Sequence, residues 1–130
     1  MNKKKSISGS AVFITFSGNC KQALSFYQSC LGGELRLQVF EQPLPGYTGL
    51  PIVSGSLLTA RITLHGSDLV PEEGRQAGNH MAIYLQCHHE RERKALLTKF
   101  HAEGGHPEDT AGQPLIAFTD RFGVRWVLGV

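Results

Sequence analysis

The sequence predicts an α+β fold made of two paired βαβββ modules, and three observations carry that reading. The stretch Gly18 to Leu35, GNCKQALSFYQSCLGGEL, is partly repeated 72 positions later, where Ala23-Leu24 returns as Ala95-Leu96 and Gly32-Gly33 as Gly104-Gly105. Around both copies the order is the same: an alternating strand, a helix, a Gly-Gly stop, then further strand-like sequence. Within each segment the apolar residues recur at the spacing its type requires, every second residue in strands and i, i+3, i+4, i+7 in helices. Two copies of one unit in a short chain give half-sheets that must cooperate, and such folds hold ligands between the halves.

The elements follow in order. The first strand is expected over Ala11 to Phe16. Helix one follows Ser17-Gly18-Asn19, with Asn19 as its natural cap and Cys20, Ala23, Leu24, Tyr27, Cys30 and Leu31 as its apolar stripe; Gly32-Gly33 ends it. A strand at Glu34 to Phe40 turns Leu35, Leu37 and Val39 inward. The Pro- and Gly-rich run between Glu41 and Ser56 reads as a lid or binding loop, with Tyr47, Leu50 and Ile52 able to pack on a ligand or partner chain. Thr59 to Leu64 alternates Ala60, Ile62 and Leu64 against Thr59, Arg61 and Thr63. The connector Asp68 to Asn79 leads to a strand at His80 to Cys87, with Met81, Ile83 and Leu85 on one face and His80, Tyr84 and Gln86 on the other. Helix two runs from about His89 to Glu103 on a stripe of Leu96, Leu97 and Phe100. Asp120-Arg121-Phe122-Gly123 reads as a hairpin turn, and Val124 to Val130 as the last strand.

Composition narrows the function. A chain of 130 residues with 41% hydrophobic and 18% charged residues supports one domain, expected over residues 11–130 in two modules (about 11–70 and 79–130) behind a solvated tail at 1–10. A net charge of +2, with a single basic run at Lys3-Lys4-Lys5, argues against a nucleic-acid partner. No apolar run approaches the ~20 residues of a membrane span, so no membrane partner and a cytoplasmic location are expected. Three cysteines, Cys20, Cys30 and Cys87, make no disulfide framework and are expected as thiols. His65, His88, His89, His101 and His106 show no ligand spacing, whereas the neighbours of His80 place it on the polar strand face.

FSGNCKQALSFYQSCLGGEL, SLLTARITLHGSDL and FTDRFGVRWVLGV together resemble the PhnB-like branch of the glyoxalase / bleomycin resistance / dioxygenase superfamily, the vicinal oxygen chelate proteins. That resemblance implies a half-open, barrel-like sheet with helices outside. Many members of this branch are called demethylubiquinone methyltransferase-like, but the chain shows no Gly-rich loop opening a helix after its first strand. Metal-dependent relatives bind a divalent ion from strands of both modules, and their ligand positions fall on Val12, Thr59, His80 and Val127. Valine coordinates nothing and one imidazole is a poor site for a divalent ion, so no metal and no other cofactor is expected.

The functional expectation is therefore a small-molecule binder. Strand parity groups Thr59, Arg61, Thr63, His80, Tyr84, Gln86 and Arg125 around a cavity whose two guanidiniums call for a small anion, with Val12, Ile14 and Phe16 as an apolar wall. A metal-dependent or His-based enzyme is the alternative, with His80 the only catalytic candidate; a ligand-free structural or regulatory dimer is the third. Open sheet edges and the apolar loop residues Leu50 and Ile52 point to a homodimer.

Overall fold

The computed structural model describes residues 10–42, 45, 51–68, 78, 80–101 and 112–130. Tyr47, Leu50 and the second Gly-Gly stop lie outside them. The described elements are β1 (Val12–Thr15), α1 (Cys20–Leu31), β2 (Glu34–Val39), β3 (Ile52–Leu58), β4 (Thr63–Ser67), β5 (Ile83–Gln86), α2 (Glu90–Phe100), β6 (Leu115–Thr119) and β7 (Arg125–Gly129). They form a mixed α+β fold with two open sheets. The first has the order β1-β4-β3-β2, the second β5-β7-β6. In each, the opening strand runs parallel to the closing one, β1 to β4 and β5 to β7, while the remaining neighbours are antiparallel. This is one βα-then-β plan used twice. A counterpart of β2 in the second module would fall outside the described residues.

One face of the first sheet carries α1. Leu57 and Leu64 are fully buried there with Ala23, Leu24 and Tyr27 of the helix. Gly55 and Gly66 sit close under the helix: a Cβ on Gly55 would come within 2.7 Å of Leu24 Cδ1, and one on Gly66 within 3.1 Å of Phe16 Cε2 and 3.2 Å of Cys20 Sγ. The other face, with Phe13, Ser56, His65 and Arg36, has no helix over it among the described residues.

Asn19 occupies the N-cap position, but its side chain makes no capping bond, and its Oδ1 is buried without a partner among the described residues. Asp68 does the work instead. Its carboxylate is 1% exposed and accepts from the backbone N–H groups of Gly18 (2.8 Å), Cys20 (2.9 Å) and Ile52 (2.9 Å), tying the start of α1 to the start of β3. At α2 the His89 ring accepts from the Glu92 N–H and caps the helix.

The modules meet at an aromatic cluster. Tyr27 from α1, Phe100 from α2, and Phe122 and Trp126 from the β6–β7 hairpin stand with ring centroids 5.0 Å (Phe100–Trp126) to 6.4 Å apart (Tyr27–Phe100). Such pairs each add about 0.5–1.5 kcal/mol beyond buried area. Asp120 anchors the cluster, accepting from Tyr27 Oη (2.6 Å), Trp126 Nε1 (2.9 Å), and the N–H groups of Phe122 (2.8 Å) and Val124 (3.1 Å). The hairpin turn expected here is present, with Gly123 at φ 85°.

Two expectations need correction. Thr59 to Leu64 is not one strand: β3 ends at Leu58, residues 59–62 turn, and β4 begins at Thr63. Apolar–polar alternation ran through the turn because Thr59, with its hydroxyl donating to the Ile62 carbonyl (2.7 Å) and accepting from the Ile62 N–H (3.0 Å), is turn chemistry that mimics a strand pattern. Ile52 is not an exposed loop residue either; it opens β3 and is 2% exposed.

Candidate functional site

β1 and β5 are outer strands of their sheets, and each turns its free edge toward a cleft between the modules. Val12, Phe13, Ile14 and Thr15 form one wall, residues 80–83 the second, and Phe122 to Arg125 of the hairpin the third, enclosing about 390 Å³. The lining is mainly apolar. His80 and Arg125 are its ionisable members. Arg125 is half-buried, and no described carboxylate lies within ion-pair distance of it.

The structure brings some of the seven expected ligand residues together and separates others. His80 and Arg125 share the cleft. Tyr84, Gln86 and Arg125 lie on the open face of the second sheet, opposite the buried Trp126 and Leu128. The Tyr84 hydroxyl donates to Gln86 Oε1, and its ring lies over Gly129, where a Cβ would come within 2.9 Å of Tyr84 Cζ. Thr63 is on the open face of the first sheet, paired with Leu58. Thr59 and Arg61, in the turn, point the other way and line a smaller groove with Cys30, Leu96 and Lys99. Phe16, expected in the cavity wall, is fully buried in the core.

Arg61 is committed to Glu92 of α2 by an ion pair. Glu92 also accepts from the His88 N–H (2.6 Å) and faces His88 Nδ1 at 3.2 Å. The His88 N–H, aided by the His88 ring and Arg61, lowers the Glu92 carboxyl from its usual 4.5 to about 2. A depressed carboxyl stabilises the fold above its unfolded value and loses that contribution as it protonates. The stability curve of the wild type is therefore expected to decline between about pH 4.5 and about pH 2 partly through this group. Glu92→Gln should flatten that acid limb in urea titrations across the same range.

The thiols are buried and held in their protonated form. Cys20, Cys30 and Cys87 are free and buried. Burial, with Asp68 beside it, pushes Cys20 up to about 12, and burial also raises Cys30 and Cys87.

The fold is similar to that of known proteins. The model of the Glyoxalase/Bleomycin resistance protein/Dioxygenase superfamily matches residues 11–128. This chain belongs to that superfamily. Protein PA1353 from Pseudomonas aeruginosa superposes with a TM-score of 0.74 at 26% identity, over 95% of this chain and 97% of that one. A putative 3-demethylubiquinone-9 3-methyltransferase, PhnB protein, from Bacillus cereus gives 0.74 at 19%, over 94% and 98%. The fosfomycin resistance protein FosX from Listeria monocytogenes gives 0.63 at 18%, over 95% and 94%. At the last two identities the likeness is one of fold.

Superfamily membership makes the divalent-ion question concrete. Val12 packs toward the core, and Phe13 is the β1 residue on the open face. Thr59 is in the turn; the β4 residue in register with Phe13 is His65. His80 precedes β5, whose open-face residue in register with Val127 is Tyr84. The central open-face residues of the two parallel strand pairs, β1–β4 and β5–β7, are thus Phe13, His65, Tyr84 and Val127. One imidazole and one phenol do not fit a divalent ion, and among the described residues no three His, Cys, Asp or Glu side chains are grouped for one. His65 shows no ligand spacing in the sequence; the signal that finds it is its place mid-strand, one residue from the buried Leu64.

Proposed function

We propose that this chain is a small-molecule-binding member of the superfamily that takes a small anion with an apolar body in the inter-module cleft. The observation that carries the reading is Arg125, a permanent cation with no described carboxylate partner, at the margin of a cleft walled by Val12, Ile14, Ile83 and Val124. His80 supplies a second polar contact. Arg61, held by Glu92 on the far side of the β3–β4 turn, is left out of the site. The fosfomycin resistance named for one structural neighbour makes fosfomycin a reasonable probe beside simple carboxylates, phosphates and phosphonates.

A homodimer completes this proposal. The free edges of β1 and β5 and the exposed Phe13 (63%) and Met81 (76%) beside them are surface that a second copy would cover. Sedimentation at micromolar concentration tests it, and a monomer alone would refute it. For the ligand, thermal shift with the anion panel is expected to stabilise the wild type. Removing one partner of a desolvated charge contact costs roughly 2–5 kcal/mol, so Arg125→Ala should weaken binding more than tenfold. If no anion raises the wild-type melting temperature, the cleft does not bind anions.

A further inference from the structure

Each module meets the other's helix through an equivalent turn, and among the described residues one of these junctions is filled with rings and the other is not. Thr59 and Asp120 head the two turns alike. The Thr59 N–H donates to the Ile62 carbonyl (3.1 Å) and the Asp120 N–H to the Val124 carbonyl (2.9 Å). The Thr59 hydroxyl accepts from the Ile62 N–H (3.0 Å) and the Asp120 carboxylate from the Val124 N–H (3.1 Å). The helices match as well. Their buried stripes, Cys20, Ala23, Leu24 and Tyr27 in α1 and Arg93, Leu96, Leu97 and Phe100 in α2, have one spacing, so Phe26 of α1 corresponds to Lys99 of α2. At the second module's turn, Phe122 packs on Phe26 with ring centroids 5.7 Å apart, and the Arg121 guanidinium lies 4.2 Å from the centre of the Phe26 ring. At the first module's turn this pair is missing: Lys99 stands in place of Phe26, and Thr59-Ala60-Arg61-Ile62 has no ring to offer. A groove of about 210 Å³ is left between the end of α1, this turn and α2.

We propose that this groove is a binding site for a short alkyl carboxylate, whose chain takes the place that rings fill at the other junction. Among the described residues it shares no lining residue with the inter-module cleft, and the proposal does not rest on the reading of that cleft. Leu31, Ala95 and Leu96 give the groove an aliphatic surface with no aromatic face for a planar ligand to stack on. Its charges do not cancel. Glu92 is neutralised by Arg61, whereas the Lys99 ammonium has no carboxylate within ion-pair distance among the described residues. Burial raises the Cys30 thiol, but the Ser29 hydroxyl and the charges of Lys99 and Arg121 act against it, which puts a positive field at the α1 end of the groove. An ammonium on a flexible stem in such a field favours an anionic head group at the rim. The Thr59 hydroxyl adds nothing, being used within its own turn. The volume of about 210 Å³ equals that of roughly seven waters in the liquid, which is room for a chain of about six carbons and not for a long acyl chain.

The test uses the full chain labelled with nitrogen-15 and follows the backbone amide signals of Leu31 and Leu96. Hexanoate is the probe; hexylamine, with the same body and the opposite charge, and acetate, with no body, are the controls. Hexanoate is expected to shift both signals saturably, and neither control to do so. From butyrate to hexanoate the affinity should rise about fourfold per added CH₂. Ala95 is exposed, so Ala95→Phe, which supplies the missing ring, is expected to fold with a melting temperature at or above that of the wild type and to abolish the shifts. Lys99→Glu, at another exposed position, tests the charge independently of that filling and should weaken hexanoate binding by at least about threefold. Arg125→Ala should leave the response in place. The proposal is overturned if hexanoate leaves the Leu31 and Leu96 signals unmoved, if hexylamine moves them as strongly, or if Ala95→Phe or Lys99→Glu binds as the wild type does. Loss of the response in Arg125→Ala would also overturn it, by placing the ligand in the cleft, whereas failure of the anion panel at the cleft would leave this site standing.

Discussion

Asp120→Ala is expected to destabilise the protein by about 3–5 kcal/mol, the largest effect of any single substitution considered. The carboxylate satisfies two side-chain and two backbone donors at once, and the residues bearing the side-chain donors, Tyr27 and Trp126, are fully buried. Alanine leaves these donors without an acceptor, and each buried unsatisfied group costs about 1–3 kcal/mol, not additively. The bond is also what holds α1 of the first module to the hairpin of the second. Burial and the Asp120 charge drive the Tyr27 phenol well above its ordinary range, so Tyr27 stays a donor at every working pH. Tyr27→Phe should cost less, about 1–1.5 kcal/mol, because it removes one donor and leaves three. Urea denaturation followed by the fluorescence of Trp126, the single tryptophan, measures both. A change under ~1 kcal/mol for Asp120→Ala would show that the modules are held by ring packing alone.

Asp68→Ala is expected to cost about 2–4 kcal/mol, through three orphaned backbone N–H groups and the loss of a negative charge at the first turn of α1. Asp68→Asn is the informative companion. An amide keeps one acceptor but turns an NH₂ toward either the Gly18 and Cys20 pair or Ile52, so it should recover only part of the loss. Because Asp68 joins the start of α1 to the start of β3, backbone hydrogen exchange at both places should rise together in the alanine variant. Exchange that rises at α1 alone would mean that Asp68 is a local cap and no more.

The duplication, both helices and the hairpin were legible in the sequence because each is written in local periods and stops: the Cys20–Leu31 stripe, the Leu96–Leu97–Phe100 stripe, and Gly123 after Asp120. What was not legible depends on partners far away in the chain. Asn19 has the right residue type for a cap, but the cap arrives from Asp68, 48 positions beyond Cys20. The site residues were grouped by strand parity, which holds only within one unbroken strand. The turn at residues 59–62 resets the phase, so Thr59 and Arg61 left the face that Thr63 kept. The pairing of Arg61 with Glu92, 31 positions on, could not be read from spacing, since nothing local distinguishes a guanidinium that meets a helix from one that meets a ligand.

The two glycines beneath α1 have a consequence for how far the two modules can be exchanged. Gly55 and Gly66 let α1 settle almost onto the backbone of its sheet, whereas the corresponding places in the second sheet hold Ile116 and Leu128. Those side chains are spacers, and α2 has to ride on them. The modules share a plan but differ in thickness. A chimera that fused two copies of the first module, or placed α1 over the second sheet, would have to rebuild the layer between helix and sheet before it could fold, and the ancestral symmetry that the sequence still displays is no longer a symmetry of parts.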